Sequence, residues 1–335
     1  MANQWALLIG INQYKALQPL MYAQADAVAL RNFFVDELGV SVHQCTLLTD
    51  VSAAIEPHAY MPLKHEIEDQ LQTLCRDRVQ PGDTLWVFFS GCGLTEGGND
   101  YWMTLDSEPT HLSETAIALS RVFEILSTAK TDQIFLSMDM NRSQGAVGHR
   151  NIGAQTLTLA KDFGIPTFLS CRPEQFSHET MYVRHGLFTK AMLEGVRYHG
   201  CITAAQLADY LGDRLPELCE HHCRPLQNPA IVLPAAQKFM MIVPAEGIAN
   251  LSVTEQDAAA LGMGLASVPP ANELGIQNPP LTNQPITPIP APVPSSPSFE
   301  IGGTSSGGTD SPTPPVAPPP APTHPETASG GAIVP

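Results

Sequence analysis

The sequence predicts an α/β domain: a central, mainly parallel sheet flanked by helices. Three observations carry this. Apolar runs recur without internal polar residues, as in Trp5-Ala6-Leu7-Leu8-Ile9 and Trp86-Val87-Phe88-Phe89. Such runs fit strands buried on both faces. Between them lie stretches with apolar residues every three or four positions, the spacing of helices with one covered face. The alternation runs on over about 240 residues, which favours one domain.

Taken in order, residues 5–11 form the first strand. Ala23, Ala27, Leu30 and Phe34 share a helical stripe that ends near Gly39. Residues 44–48 read as the second strand. Leu63, Ile67, Leu71 and Leu74 mark the second helix, Pro81-Gly82 a turn, and residues 85–89 the third strand. Residues 97–100 read as a flexible loop, and residues 101–105 as a short extended piece. A helix over 120–126 leads to a fourth strand at 133–138, and a short fifth strand covers 167–170. Gly186-Leu187-Phe188-Thr189 opens a helix through Leu193, and a last helix spans 204–219. Apolar stretches at 229–232 and 239–242 close the pattern and set the domain at residues 1–244.

Beyond that point the composition changes. Residues 241–335 hold 20 of the 31 prolines and contain neither Lys nor Arg. With little to bury, residues 245–335 are expected to be disordered. The Pro318-Pro319-Pro320 region is a candidate polyproline ligand; a solvated tail without a dedicated partner is the alternative.

A formal net charge of −16 argues against nucleic acid, which calls for a basic footprint, and against an anionic membrane surface. The opening apolar run is too short for a membrane span. Seven irregularly spaced cysteines without a CxxC pair point to free thiols in a reducing cytoplasm rather than a disulfide framework. Gly10, Gly91 and Gly93 lack the spacing and lysine of a phosphate loop. Cys219, His222 and Cys223 share a helix face near its end. Zinc would need a fourth group, and incidental residues at a helix end are the simpler reading.

Several short stretches, in order, resemble caspase-like peptidase domains of the bacterial metacaspase or orthocaspase type. They are Ala6-Leu7-Leu8-Ile9-Gly10-Ile11-Asn12-Gln13-Tyr14, Ala25-Asp26-Ala27 with Leu30, Phe88-Phe89-Ser90-Gly91, and Tyr101-Trp102 with Asp106. Ser170-Cys171, Glu174-Gln175, Glu179 and Gly186-Leu187-Phe188-Thr189 continue the set. The resemblance covers roughly residues 4–243 and implies a caspase-like fold. In active relatives a Phe-Ser-Gly-His-Gly pattern supplies a histidine and an Asp-x-Cys-x-Ser-Gly pattern a cysteine. Together they cut peptide bonds, commonly after Arg or Lys, in some relatives with calcium.

This chain departs from both patterns. Cys92 stands at the histidine position and Asn141 at the nucleophile position, and Gln144 follows Ser143 where glycine is expected. A cysteine peptidase needs a thiolate and an acid for the leaving amine. Asn141 has no ionisable nucleophile, and a thiol titrating near 8.5 replaces an imidazole poorly. The resemblance puts Asp139 at the pocket for a basic side chain, with Glu179 contributing; a strand-end hydrogen bond for Asp139 and a solvated charge for Glu179 are the plainer readings.

Cys171 and Ser143 are further cleft candidates, and His149, His178 or His185 a displaced base. Inert buried thiols and solvated histidines are the default. The sequence therefore predicts a catalytically inactive caspase-like domain, a pseudo-peptidase that regulates or binds a protein or peptide, basic in character, with an active relative as one candidate. The alternatives are an unconventional cysteine endopeptidase and an interaction protein working through its Pro-rich tail.

Overall fold

The computed structural model describes residues 2–50, 59–142, 151–244 and Gly247. Its strands are β1 (Gln4–Gly10), β2 (Cys45–Thr49), β3 (Ala59–Tyr60), β4 (Thr84–Ser90), β5 (Gly93–Glu96), β6 (Asn99–Trp102), β7 (Ile117–Ala118), β8 (Gln133–Asp139), β9 (Thr167–Leu169), β10 (Glu179–Thr180), β11 (His185–Gly186) and β12 (Ala230–Val232). The helices are α1 (Ala23–Asn32), α2 (Lys64–Thr73), α3 (Leu112–Thr115), α4 (Leu119–Leu126), α5 (Ala154–Phe163), α6 (Leu187–Tyr198) and α7 (Ala204–His221). Seven strands form the central sheet in the order β12-β9-β8-β4-β1-β2-β3. Every pairing in it is parallel except β12 with β9. The predicted mainly parallel α/β sheet is therefore present.

Strand β4 is buried along its whole length, and its side chains alternate between two cores. Trp86 and Phe88 enter the core shared with α1, α6 and α7; Leu85, Val87 and Phe89 enter the one shared with α2, α4 and α5. Two covered faces explain why β4 reads as a continuous apolar run. The Trp86 indole N–H reaches the Ile242 carbonyl at 3.1 Å, fixing the close of the domain to the central strand.

Parts of the fold differ from the sequence reading. Residues 97–100 are no flexible loop: Gly97 and Gly98, both at positive φ, form the turn of the β5–β6 hairpin, with Glu96 opposite Asn99. Helices α3 and α5 and the short strands β3, β5, β7, β10 and β11 were not predicted. The expected tail, residues 245–335, lies outside the described residues except for Gly247.

Gly10 sets how closely α1 lies on the sheet. A Cβ there would stand 2.4 Å from the Ala23 carbonyl oxygen and 2.8 Å from the Ala27 Cβ. Helix backbone cannot swing aside as a flexible side chain can. Gly10→Ala is expected to cost about 1–3 kcal/mol through overpacking, read as a lower urea midpoint at unchanged slope.

Candidate functional site

The site forms where β4 and β8 end together. Ser90 lies opposite Asp139, and the pairing continues past both strands: the Gly91 N–H donates to the Asp139 carbonyl at 3.0 Å, and Gly93 to Met140 at 2.6 Å. This register brings Cys92 and Asn141 to the same end of the sheet, where parallel α/β sheets place their sites.

Neither residue is free. Cys92 is fully buried in a small apolar cluster with Leu20, Ala23, Leu94 and Met103. Its backbone N–H donates to the Tyr14 hydroxyl at 2.7 Å, and that hydroxyl donates to the Ile11 carbonyl at 3.1 Å. Burial pushes the Cys92 thiol up to about 12, with Arg142 pulling more weakly the other way. Asn141 is buried too. Its amide donates to the Ile152 carbonyl at 3.3 Å and the Pro173 carbonyl at 3.2 Å. The carboxamide ties together the chain on either side of α5 and β9.

Beside them lies a buried polar cluster. Arg142 Nη2 is 2.7 Å from Asp139 Oδ2, 3.0 Å from the Ser90 hydroxyl and 3.9 Å from Asp26 Oδ2. Ser90 donates in turn to Asp26 Oδ2 at 3.0 Å. The other Asp26 oxygen accepts from the Gly186 N–H at 3.1 Å and from His185 Nδ1 at 3.0 Å. Burial opposes the charge on Arg142, but Asp139, Glu179 and Asp26 together hold its guanidinium above its ordinary value. Burial pushes the Asp139 carboxyl up, against the pull of Arg142.

Both residues expected to line an acidic pocket are buried and partnered within the chain. Asp139 is fully buried and already paired with a cation of the same chain. Glu179 is neither a solvated loop charge nor an open pocket wall. It is buried and accepts from the Met21 and Tyr22 N–H groups at 2.9 and 3.1 Å, capping the start of α1. Cys171 is buried, its thiol on the Gln175 carbonyl, and burial pushes it up to about 12.

His185 is oriented by Asp26, whereas His178 is held below its ordinary value, chiefly by burial. Cys219 lies in the core and Cys223 at the surface. Ser143, Gln144 and His149 fall outside the described residues.

Sequence reasoning missed Arg142, Ser90 and Tyr14 as members of the site and did not single out Asp26. The signal for Arg142 was its adjacency to Asn141 and its spacing of three from Asp139. The calcium implied by the resemblance finds no fitting donor set: no three acidic, His or Cys side chains among the described residues are placed to hold a metal ion. The nearby carboxylates are taken up by Arg142, Ser90 and backbone N–H groups. Among the described residues no helix is long and apolar enough to cross a membrane.

A parallel sheet covered on both faces, with β4 and β8 delivering the candidate residues, fits the expected class. A family model for the caspase domain matches residues 3–233, and the chain belongs to that family. Similar solved structures include the Drosophila initiator caspase Dronc (12% identity, 72% of this chain and 84% of that one, TM-score 0.47). Others are protein GSU0716 from Geobacter sulfurreducens (12%, 72% and 98%, 0.45) and caspase-1 from Spodoptera frugiperda (13%, 69% and 86%, 0.40). No curated protein matches in sequence.

Proposed function

We propose that this chain is a caspase-domain protein without peptidase chemistry that acts by binding a protein or peptide. The observation that carries the reading is Asn141. At the position the resemblance gives to the nucleophile, its carboxamide donates to the Ile152 and Pro173 carbonyls. An amide has no ionised form with which to attack a scissile carbonyl. Cys92, which the resemblance puts in the base's position, is pushed up to about 12 by burial and is poorly matched to general acid–base work near neutral pH. A net charge of −16 favours a basic partner surface, and an active caspase-like relative is the first candidate.

Reporter peptides ending in Arg or Lys, with and without calcium, test the chemistry. Wild type is expected to give no turnover above the buffer blank. Wild-type turnover that disappears in Cys92→Ala or Cys171→Ala would sink the reading in favour of an unconventional peptidase. The binding half is tested by titrating the chain into an active caspase-domain peptidase. A dose-dependent fall in initial rate is expected; an unchanged rate removes that relative as the partner.

A further inference from the structure

We infer that the Asp26–Asp139 cluster is a guanidinium-binding pocket that the chain fills with its own Arg142, so that no arginine or lysine side chain from outside enters it. The occupant is Arg142 itself. The Arg142 side chain is 1% exposed, and its Nη2 makes every polar contact of the guanidinium among the described residues: Asp139 at 2.7 Å and Ser90 at 3.0 Å, with Asp26 at 3.9 Å. Three carboxylates, those of Asp26, Asp139 and Glu179, act on this one cation. Buried charges of one sign in such excess require a compensating cation, so the pocket selects for positive charge whoever supplies it.

The pocket is also closely bounded on one side. Gly186 lies flush against it: a Cβ there would stand 2.7 Å from Asp139 Oδ2, 3.1 Å from Asp26 Oδ2 and 3.4 Å from Arg142 Nη2. The Gly186 N–H meanwhile holds Asp26 in place.

The fit of Arg142 is incomplete, which makes the pocket testable. Asp139 Oδ1 and Arg142 Nε and Nη1 are buried without a hydrogen-bond partner among the described residues. The pair is one-pronged, although guanidinium and carboxylate can meet through two parallel hydrogen bonds. Arg142 is tethered three residues from Asp139 and reaches it with one nitrogen. An untethered guanidinium has no such constraint. The inference does not depend on whether the chain has peptidase activity, and its test reads stability.

The experiment uses full-length Arg142→Ala and ethylguanidinium, the fragment this substitution deletes. Arg142→Ala is expected to unfold at lower temperature than wild type. Low-millimolar ethylguanidinium chloride then raises its Tm saturably, while equimolar sodium chloride and ethylammonium chloride do so much less. At ten times the Kd the apparent unfolding constant falls about tenfold. Wild type, its pocket already filled, does not respond, and adding Asp139→Asn to Arg142→Ala removes the response.

Should Arg142→Ala not fold alone, the readout becomes folded yield on dilution from urea, with ethylguanidinium expected to exceed sodium chloride. Equal stabilisation of wild type overturns the inference. So does an Arg142→Ala protein that gains neither Tm nor yield from ethylguanidinium beyond the salt controls.

Discussion

Asp26→Ala is expected to lower the free energy of unfolding by about 3–5 kcal/mol, the range for breaking a buried charged pair from one side. The size follows from how many elements meet on this carboxylate. Asp26 sits on α1 and is fully buried. It accepts from Ser90 at the end of β4 and from His185 and Gly186 in β11. It also lies 3.9 Å from the Arg142 guanidinium.

Alanine strands the Gly186 N–H, deprives the Ser90 hydroxyl of its acceptor and leaves Arg142 with less compensating charge. An unpaired buried donor costs its full desolvation. Asp26→Asn rescues this only in part, because both carboxylate oxygens face donors and an amide must turn its NH₂ toward one of them. Urea unfolding at constant slope measures the loss. Asp36→Ala, on the exposed side of the turn that continues α1, is the control and should change little. A loss at Asp26 no larger than at Asp36 would show that the cluster does not hold α1 to the sheet.

The same carboxylates are taken up by contacts within the chain. The Asp139–Arg142 contact is an ion pair internal to the chain. Glu179 turns a further acidic group into a helix cap. Asn141, whose amide ties two backbone carbonyls, and Arg142, which pairs with Asp139, are neighbours. A single stretch at the end of β8 therefore supplies two adjacent side chains that are both buried and partnered within the chain.

How legible this was depends on the range of the interactions. The strands announce themselves locally, because burial on both faces leaves a continuous apolar run that needs no partner to be recognised. Helix α7 is legible for a similar reason: Thr203 and Gln206 form a capping box within its own first turn.

Helix α5 was missed because its start carries no local cap. The residue before it is Gly153 at φ +100°, and Asp100, in the hairpin, accepts from the Thr156 N–H and hydroxyl. The α1 start is likewise held by Asn12 and Glu179. A carboxylate that caps a helix 157 or 158 positions away in sequence looks, in sequence, like a loop charge. Cys92 and Asn141 could be singled out in the sequence because they interrupt the two motifs of the resemblance. That Arg142 turns back onto Asp139 was not legible, since the spacing of three permits the contact without requiring it.

Iodoacetamide at pH 8 is expected to label Cys223 in the folded protein and to leave Cys92 and Cys171 intact. Cys223 is the exposed thiol of the seven. Burial moves Cys92 and Cys171 from an ordinary 9.0 to about 12, which lowers the reactive thiolate about a thousandfold near neutral pH. Cys45 and Cys75 are also raised to about 12 by burial.

The sign for stability follows from which state releases its protons first. Unfolded thiols ionise from about 9, whereas these four keep their protons in the folded state until about 12. Their contribution is therefore complete below pH 9 and lost as pH rises toward 12. At pH 10 each costs about 1.4 kcal/mol and the four together about 6 kcal/mol, a large part of a typical domain's stability. The urea midpoint should fall steeply between pH 8 and pH 10, and labelling of the buried thiols should appear with unfolding rather than before it. Cys92 labelling in the folded protein at the rate of Cys223 would break this account, and it would return Cys92 to the list of candidate nucleophiles.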